Sequence, residues 1–231
     1  MCFVFFASVM ALLCEGAQAQ TTEAQTTEAQ WWPELDSYVD LTQRLRLLFT
    51  AERYTDGGDY NSIQFGPYLE IGLRPLLRKR LITNDWAKHN YLVLQIGYQH
   101  RSNFDKPDEE RGVLSLTLRY PLPGSLMLAD RNQSDLRWTN GVFTWRYRNR
   151  LMLERSFKIK RVTLTPFARD EVYYDSKYGV WNLNTYAFGS SIPVRKRVEI
   201  ELHYERDHNT RASPTYINAL EFTLSLFLRR K

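Results

Sequence analysis

Residues 145–157 read WRYRNRLMLERSF, and the spacing within them decides the fold. Arg146, Arg148 and Arg150 recur at every second position, while Trp145, Tyr147, Leu151 and Leu153 take the positions between and after them. A helix would scatter these arginines around its axis. A strand, whose side chains alternate, puts the three cations on one face and the oily groups on the other.

The same period runs outward in both directions. Upstream, Val39, Leu41, Leu45, Leu47, Phe49 and Ala51 share one parity against Asp40, Thr42, Arg44, Arg46 and Glu52. Ile63, Phe65, Leu69 and Ile71 oppose Gln64, Tyr68 and Glu70, and Leu92, Leu94, Ile96 and Tyr98 oppose Gln95, Gln99 and Arg101. Downstream, Val162, Leu164, Val172 and Tyr174 oppose Thr165, Arg169 and Glu171, and Val198, Ile200, Leu202 and Tyr204 oppose Glu199, Glu201 and His203. Leu220 to Leu228 closes the series. Two segments alternate less well. Trp181 to Gly189 is loose, and Leu126 to Trp138 would put Asp130, Asn132 and Ser134 on the oily face, which predicts a bulged, displaced or short strand. Counting both, about ten strands are expected, an even number as in bacterial single-chain barrels.

Which face meets solvent is the next question. The chain has 231 residues, 43% hydrophobic, with a mean hydropathy of −0.46. After the N-terminus it contains no apolar run of about eighteen residues, so no helix is expected to cross a bilayer. Barrel strands escape that test, because alternation averages their hydropathy away. The connections fall into two alternating sets. TDGGDYN, NFDKPDEER, TNG, YDSKYG and DHNTRASP are polar and turn-rich, whereas PLLRKRLITNDWAKHN, YPLPGS, FKIK and IPVRKR carry proline or lysine. Tyr98, Phe143, Trp145, Tyr174, Trp181, Tyr204 and Tyr216 sit on the oily parity beside the first set, as in the aromatic girdle of a membrane barrel. With the chain starting in the periplasm, the first set faces out of the cell. A soluble barrel or sandwich would turn the apolar face inward. The expected fold is therefore all-β: one antiparallel up-and-down transmembrane β-barrel in the bacterial outer membrane, over residues 35–231.

The N-terminus fits that destination. Met1 to Ala19 has an apolar stretch from Phe3 to Leu13 and an A-x-A site at Ala17 to Ala19, so a signal peptide over 1–19 cleaved after Ala19 is expected. It lacks an early Lys or Arg, and Leu13 before Cys14 argues against lipidation. Cleavage removes Glu15 and no basic residue, raising the net charge from +5 to +6, and removes both cysteines, Cys2 and Cys14. Disulfide and thiol chemistry are thereby excluded. TTEAQTTEAQ, a tandem repeat over 21–30, lacks large apolar groups and reads as part of a flexible periplasmic tether over 20–34.

RYRNRLMLE, TPFARDEVYYD, VWNLNTYAFGSSIPVRKRVEIELHYERD and the alternating final strand resemble a bacterial family, domain of unknown function 2490, over about Trp32 to Arg229. The resemblance implies an outer-membrane β-barrel without an established activity. The chain runs past Phe227 with Leu228, Arg229, Arg230 and Lys231, where such barrels commonly end on the aromatic.

The inward parity collects ten arginines: Arg44, Arg46, Arg74, Arg101, Arg119, Arg146, Arg148, Arg150, Arg169 and Arg197. It also collects eight acids: Asp40, Glu52, Glu70, Glu154, Glu171, Glu199, Glu201 and Glu221. These predict a lumen in which nearly every charge pairs across strands, Glu154 and Glu171 standing nearest Arg146, Arg148 and Arg150. A ladder that fills a narrow or closed barrel is expected rather than an open anion channel, since about eight strands leave a filled interior and open pores need about sixteen. No cofactor or metal is expected. His203, Glu205 and His208 lack compact ligand spacing. Catalysis is not expected either, for no G-x-S-x-G occurs. The alternative is a lipid or peptide hydrolase with His203 as base, between Glu201 and Glu205. Nucleic acid is excluded because the cations and aromatics of WRYRNR lie on opposite faces. The expected partners are outer-membrane lipid and the barrel-assembly machinery.

Overall fold

The computed structural model describes residues 27–56, 59–76, 81–104 and 106–229. The expected leader and residues 21–26 of the tandem repeat lie outside them. The chain is all-β, with two short 3-10 turns, Trp86–His89 and Pro123–Ser125. Its strands are β1 (Thr27–Asp40), β2 (Leu45–Asp56), β3 (Asp59–Pro75), β4 (Asn90–Asn103), β5 (Glu109–Pro121), β6 (Met127–Thr139), β7 (Val142–Glu154), β8 (Phe157–Ile159), β9 (Val162–Asp175), β10 (Val180–Arg195), β11 (Val198–Asn209) and β12 (Tyr216–Arg229).

Eleven of these are long, and they close on themselves. Each pairs antiparallel with the next in the chain, β7 passing to β9 because β8 is only a three-residue strand against β9. Closure is made by β1 and β12, which run parallel from Thr27↔Tyr216 to Asp40↔Arg229. The barrel is thus mixed, with one parallel seam in an otherwise up-and-down sheet. The departure from a purely antiparallel, even-numbered barrel comes from one turn. Val39 to Ala51 reads as a single alternating strand, but the backbone reverses inside it, with Leu41 N and Thr42 N both donating to Leu45 O. One extra crossing results, and the first and last strands of an odd-numbered meander must run the same way.

The seam also corrects the extent of the tether. Residues Thr27 to Glu34, assigned to it on composition, are the first half of β1. From Thr27 to Pro33 this strand has only β12 as a ladder partner, since its register with β2 begins at Glu34. Pro33 is tolerated there because its missing N–H faces no second strand. Thr55 covers the open edge with its hydroxyl, which donates to Trp31 O at 2.8 Å and accepts from Trp31 N at 3.1 Å. Because β1 starts at the end of the barrel carrying the turn-rich loops, the argument that a periplasmic start points those loops outward loses its premise. The two loop sets themselves do separate to opposite ends.

β6 is neither bulged nor short. It keeps unbroken register with β5 from Glu109↔Thr139 to Pro121↔Met127, and with β7 from Met127↔Glu154 to Thr139↔Val142. Asp130, Asn132 and Ser134 do lie on the outer face, where Asn149 Nδ2 donates to Asp130 at 2.8 Å and Tyr147 OH to Asn132 at 2.5 Å. Neighbours on β7 therefore satisfy Asp130 and Asn132. The loose alternation of β10 has a local cause, a bulge between Trp181 and Leu183.

Side-chain distribution is inverted relative to a water-soluble barrel. Phe188, Trp181 and Leu114 on the outer wall are 61%, 55% and 52% exposed, while Arg46, Glu171 and His203 inside are each 1% exposed. A small aromatic cluster shares the interior: Tyr38 stacks on Phe227 at 4.7 Å beside Leu48, Tyr68 and Val113. Tyr68 lies flat across Gly97, its register partner, where a Cβ would come within 2.0 Å of the ring. Glycine is required at that position.

Candidate functional site

The interior is built by alternation. Each strand that passes an apolar residue outward turns the next residue in, and β5, β6, β7 and β9 each turn at least three charged residues inward. Arg146, Arg148 and Arg150 face inward as expected. Arg150 Nη2 lies 2.6 Å from Glu171, Arg148 Nε 2.9 Å from the same carboxylate, and Arg131 Nη2 3.5 Å from it. Arg148 also lies 3.6 Å from Asp135. Arg146 pairs instead with Asp175 at 2.8 Å, and Arg137 joins Asp175 at 3.1 Å to Glu109 at 2.5 Å. Glu109 in turn holds Arg111 at 2.6 Å. Charge-assisted bonds of this kind keep buried guanidinium groups supplied with acceptors.

Glu154 does not pair with these arginines. Its partner is Lys88, 2.9 Å away, on the connection between β3 and β4. This connection is the feature that sequence reasoning missed. Residues 81–89 fold across one mouth of the barrel, with Leu81 and Ala87 buried. They contact the wall around much of its circumference. Trp86 Nε1 donates to Asp40 of β1 at 2.8 Å, and Asp85 Oδ1 lies 2.7 Å from Arg46 of β2. Thr83 Oγ1 and Asn84 N donate to Glu199 of β11 at 2.8 and 3.0 Å, and Ile82 N donates to Ser156 Oγ at 2.8 Å. Asp85 also caps the 3-10 turn, accepting from Ala87 N at 2.8 Å. Burial opposes the charge on Asp85, but Arg46, Lys88 and Arg119 outweigh it and hold the carboxyl below its ordinary range. Burial likewise works against the Lys88 ammonium, and Glu154, Glu201 and Glu199 raise it above the usual lysine value. Nothing in residues 76–89 alternates, and their polarity reads as a solvated loop. No local signal distinguishes that from a plug.

The rest of the predicted interior divides. Arg46 bonds Glu70 as well as Asp85, and Arg46 stacks over Tyr38 at 4.1 Å and Trp86 at 4.9 Å. Arg101 faces in, bonded to Ser62 Oγ at 2.9 Å, and Arg119 is buried. Arg44, Arg74 and Arg197 are exposed instead. Arg44 belongs to the Leu41–Leu45 turn and Arg197 to the β10–β11 turn, where strand alternation no longer sets side-chain direction. Glu199 is bound by the plug, and Glu201 lies 3.3 Å from His203 Nδ1.

Pairing is also less complete than a one-to-one ladder. The arginines concentrate on β4 to β7 and β9. Glu34, Asp36, Glu52, Glu201, Glu205, Asp207 and Glu221 concentrate on β1, β2, β11 and β12. Among the described residues Glu34, Asp36, Glu52 and Asp207 make no ion pair and are bonded to the hydroxyls of Thr223, Tyr38, Tyr54 and Thr185. The interior thus has a cationic and an anionic wall, facing each other over a cavity of about 470 Å3.

His203 lies where the walls meet. Its side chain is enclosed by Glu201, by Glu221 at 3.2 Å and Glu205 at 3.6 Å from Nε2, and by Arg169, whose Nη2 is 2.8 Å from the same nitrogen. Arg169 also bonds Glu205 directly. His203, Glu205 and Glu221 bring ligand atoms within 4.8 Å of one another, a grouping that needs β12 beside β11. The guanidinium of Arg169 supplies positive charge there. His208 is not part of it and stacks on Tyr216 at 4.7 Å.

A closed mixed β-barrel with a charged, plugged interior is the class of protein that this fold and site define. The sequence profile of the family described as Protein of unknown function (DUF2490) matches residues 29–218, from β1 into β12, and the chain belongs to that family. No curated protein matches it.

Proposed function

We propose that the chain is an outer-membrane β-barrel, delivered by a leader cleaved after Ala19, whose lumen is narrow and closed and serves a structural rather than a conducting role. One observation carries the membrane reading. The outer wall exposes large apolar side chains on every side, whereas the interior holds the charges. In water that distribution would waste the burial that stabilises a domain; in a bilayer it is the expected one. The closed-lumen reading is supported by residues 81–89, bonded to β1, β2, β7 and β11 across one mouth. The paired charges inside roughly break even with an apolar filling, and hydroxyls hold the four acids that make no ion pair.

The test is fractionation followed by electrical recording. The mature chain is expected in the outer-membrane fraction, extractable only with detergent, and silent in a planar bilayer. Recovery in the soluble periplasm would sink the membrane reading; a steady conductance would sink the closed one. The alternative hydrolase with His203 as base is not supported by that residue's surroundings, which are three carboxylates and a guanidinium. Among the described residues no hydroxyl bonds its ring.

A further inference from the structure

The outer wall carries a second histidine whose setting differs in every respect. On β4 the residues Gln99 and Arg101 turn inward, Arg101 bonding Ser62 Oγ and Arg111 reaching Gln99 at 3.2 Å. His100 and Ser102 therefore share the outer face. His100 is the register partner of Glu110 on β5, and its Nδ1 lies 2.9 Å from Glu110 Oε1. Tyr98 OH bonds the other oxygen of that carboxylate. His100 and Glu110 are 24% and 45% exposed at the side chain, so the pair is open to the surroundings.

We propose that Ser102, His100 and Glu110 form a serine-esterase site on the rim of the barrel, acting on the acyl esters of phosphate-bearing lipids. The roles follow from which nitrogen is occupied. A carboxylate on Nδ1 fixes the tautomer that leaves Nε2 as base, the order found wherever a carboxylate, an imidazole and a hydroxyl act together. Among the described residues Nε2 makes no hydrogen bond, and Asp108 Oδ2 lies 3.9 Å from it. Ser102 stands two residues along the same face, about 7 Å from His100 between side-chain origins. Nε2 must close on Ser102 Oγ in the substrate complex while Nδ1 keeps Glu110, and such contacts are commonly loose until substrate is present.

The position selects the substrate. This inference rests on the reading that the outer wall meets lipid. His100 and Ser102 lie at the turn-rich end of β4, beside Phe65, whose ring is 5.3 Å from that of His100, and beside the exposed Phe104. Aromatic groups at a strand end mark the depth of the headgroup boundary, where acyl esters lie. Register runs Arg53↔Ile63↔Ser102 across β2, β3 and β4, so the backbone of an exposed arginine stands two strand spacings, about 10 Å, from that of Ser102. A guanidinium at that reach suits a lipid phosphate.

The reaction balances with water as the only co-reactant. Ser102 Oγ attacks the ester carbonyl and its proton passes to His100 Nε2. The C–O bond to the lipid alcohol then breaks, and that oxygen leaves with the proton. Water attacks the acyl-serine by the same route, releasing the fatty acid and returning the proton to Oγ.

The full mature chain, recovered from membranes in detergent, is incubated separately with phosphatidylglycerol–phosphatidylethanolamine vesicles and with lipopolysaccharide, and released fatty acid is measured. A fluorophosphonate is applied in parallel and its adduct located by peptide mass spectrometry. Release from at least one lipid, an adduct on Ser102, and a fall of at least about a hundredfold in Ser102→Ala and His100→Ala are expected. Glu110→Gln should fall at least about tenfold, and His203→Gln should not change release. Which lipid is cleaved reports which leaflet the turn-rich rim occupies. Folding of each variant is read from heat-modifiable mobility on gels. A barrel that inserts and shows that mobility shift, yet releases fatty acid from neither lipid, overturns the proposal alone, as does activity surviving in a folded Ser102→Ala variant. A chain recovered without detergent overturns the membrane reading first.

Discussion

The ammonium of Lys88 and the carboxylate of Glu154 meet at 2.9 Å, one carried by the β3–β4 connection and the other by the last residue of β7. Glu154 is fully enclosed at the side chain and Lys88 nearly so. Removing one partner strands the other charge. Lys88→Met alone should cost about 3–5 kcal/mol, whereas Lys88→Met combined with Glu154→Leu should restore most of the loss. Thermal unfolding in detergent of the two single variants and the double variant measures this. Additive losses would show that the pair does not hold the plug.

If residues 81–89 seal the mouth, their removal should change conductance before it changes insertion. A variant with 81–87 replaced by a short glycine–serine linker is expected to run as a folded, heat-modifiable barrel and to pass ions in a planar bilayer where the parent is silent. Silence in both would place the closure elsewhere, most directly at the aromatic cluster of Tyr38, Tyr68 and Phe227.

Asp85 links the plug to pH. Its carboxyl is held below the ordinary aspartate value by Arg46, so the folded state binds its proton less readily than the unfolded chain does. The stabilisation is therefore complete above about pH 5 and is lost as pH falls through about 4 and below. The difference in unfolding temperature between the parent and Asp85→Asn should be constant between neutrality and about pH 5 and shrink below that, so that the variant has the flatter acid limb. An unchanged acid limb in that variant would assign the loss to other carboxylates.

Glu171 takes three guanidinium groups, from Arg131, Arg148 and Arg150, while Arg148 is one of several donors. The two ends of that cluster should respond unequally. Glu171→Leu leaves three cations short of an acceptor and should cost about 3–5 kcal/mol, and Arg148→Leu should cost about 1–3 kcal/mol. Neither should prevent insertion. Equal losses would mean that the cluster is solvated and contributes little.

The outer and inner faces can be separated by introducing charge. Leu202→Arg, on the exposed face near the middle of β11, should cost about 2–4 kcal/mol in a bilayer. Thr50→Arg, on the inner face of β2 beside the unpaired Glu52 and Asp36, should be mild. Thr165, which alternation alone would suggest for the same test, is a poor choice because it is fully buried and bonded to Ser156 at 2.8 Å. Similar losses for Leu202→Arg and Thr50→Arg would refute the assignment of faces.

Sequence by itself determined the strands and their two faces, because alternation is a property of the pleat and each residue reports its own side. It separated the two sets of loops, and it identified Arg46, Arg146, Arg148, Arg150, Arg169, Glu70, Glu154, Glu171, Glu199 and Glu201 as inward from parity alone. It failed wherever direction depends on something beyond the pleat. At Leu41–Leu45 a reversal keeps the alternation intact, so the extra strand β1 and its parallel seam with β12 were invisible, and Arg44 was assigned to a face it does not have. Tertiary structure alone decided the partners. Glu154 meets Lys88 rather than an arginine because the β3–β4 connection folds back over the mouth, and His203 meets Glu221 and His100 meets Glu110 because the registers of β11 with β12 and of β4 with β5 set them opposite each other. Residues 81–89 illustrate the same limit. Their mixture of polar and apolar side chains carries no period that marks them as inward, and the charged strand ends around them make the mouth of the barrel their place.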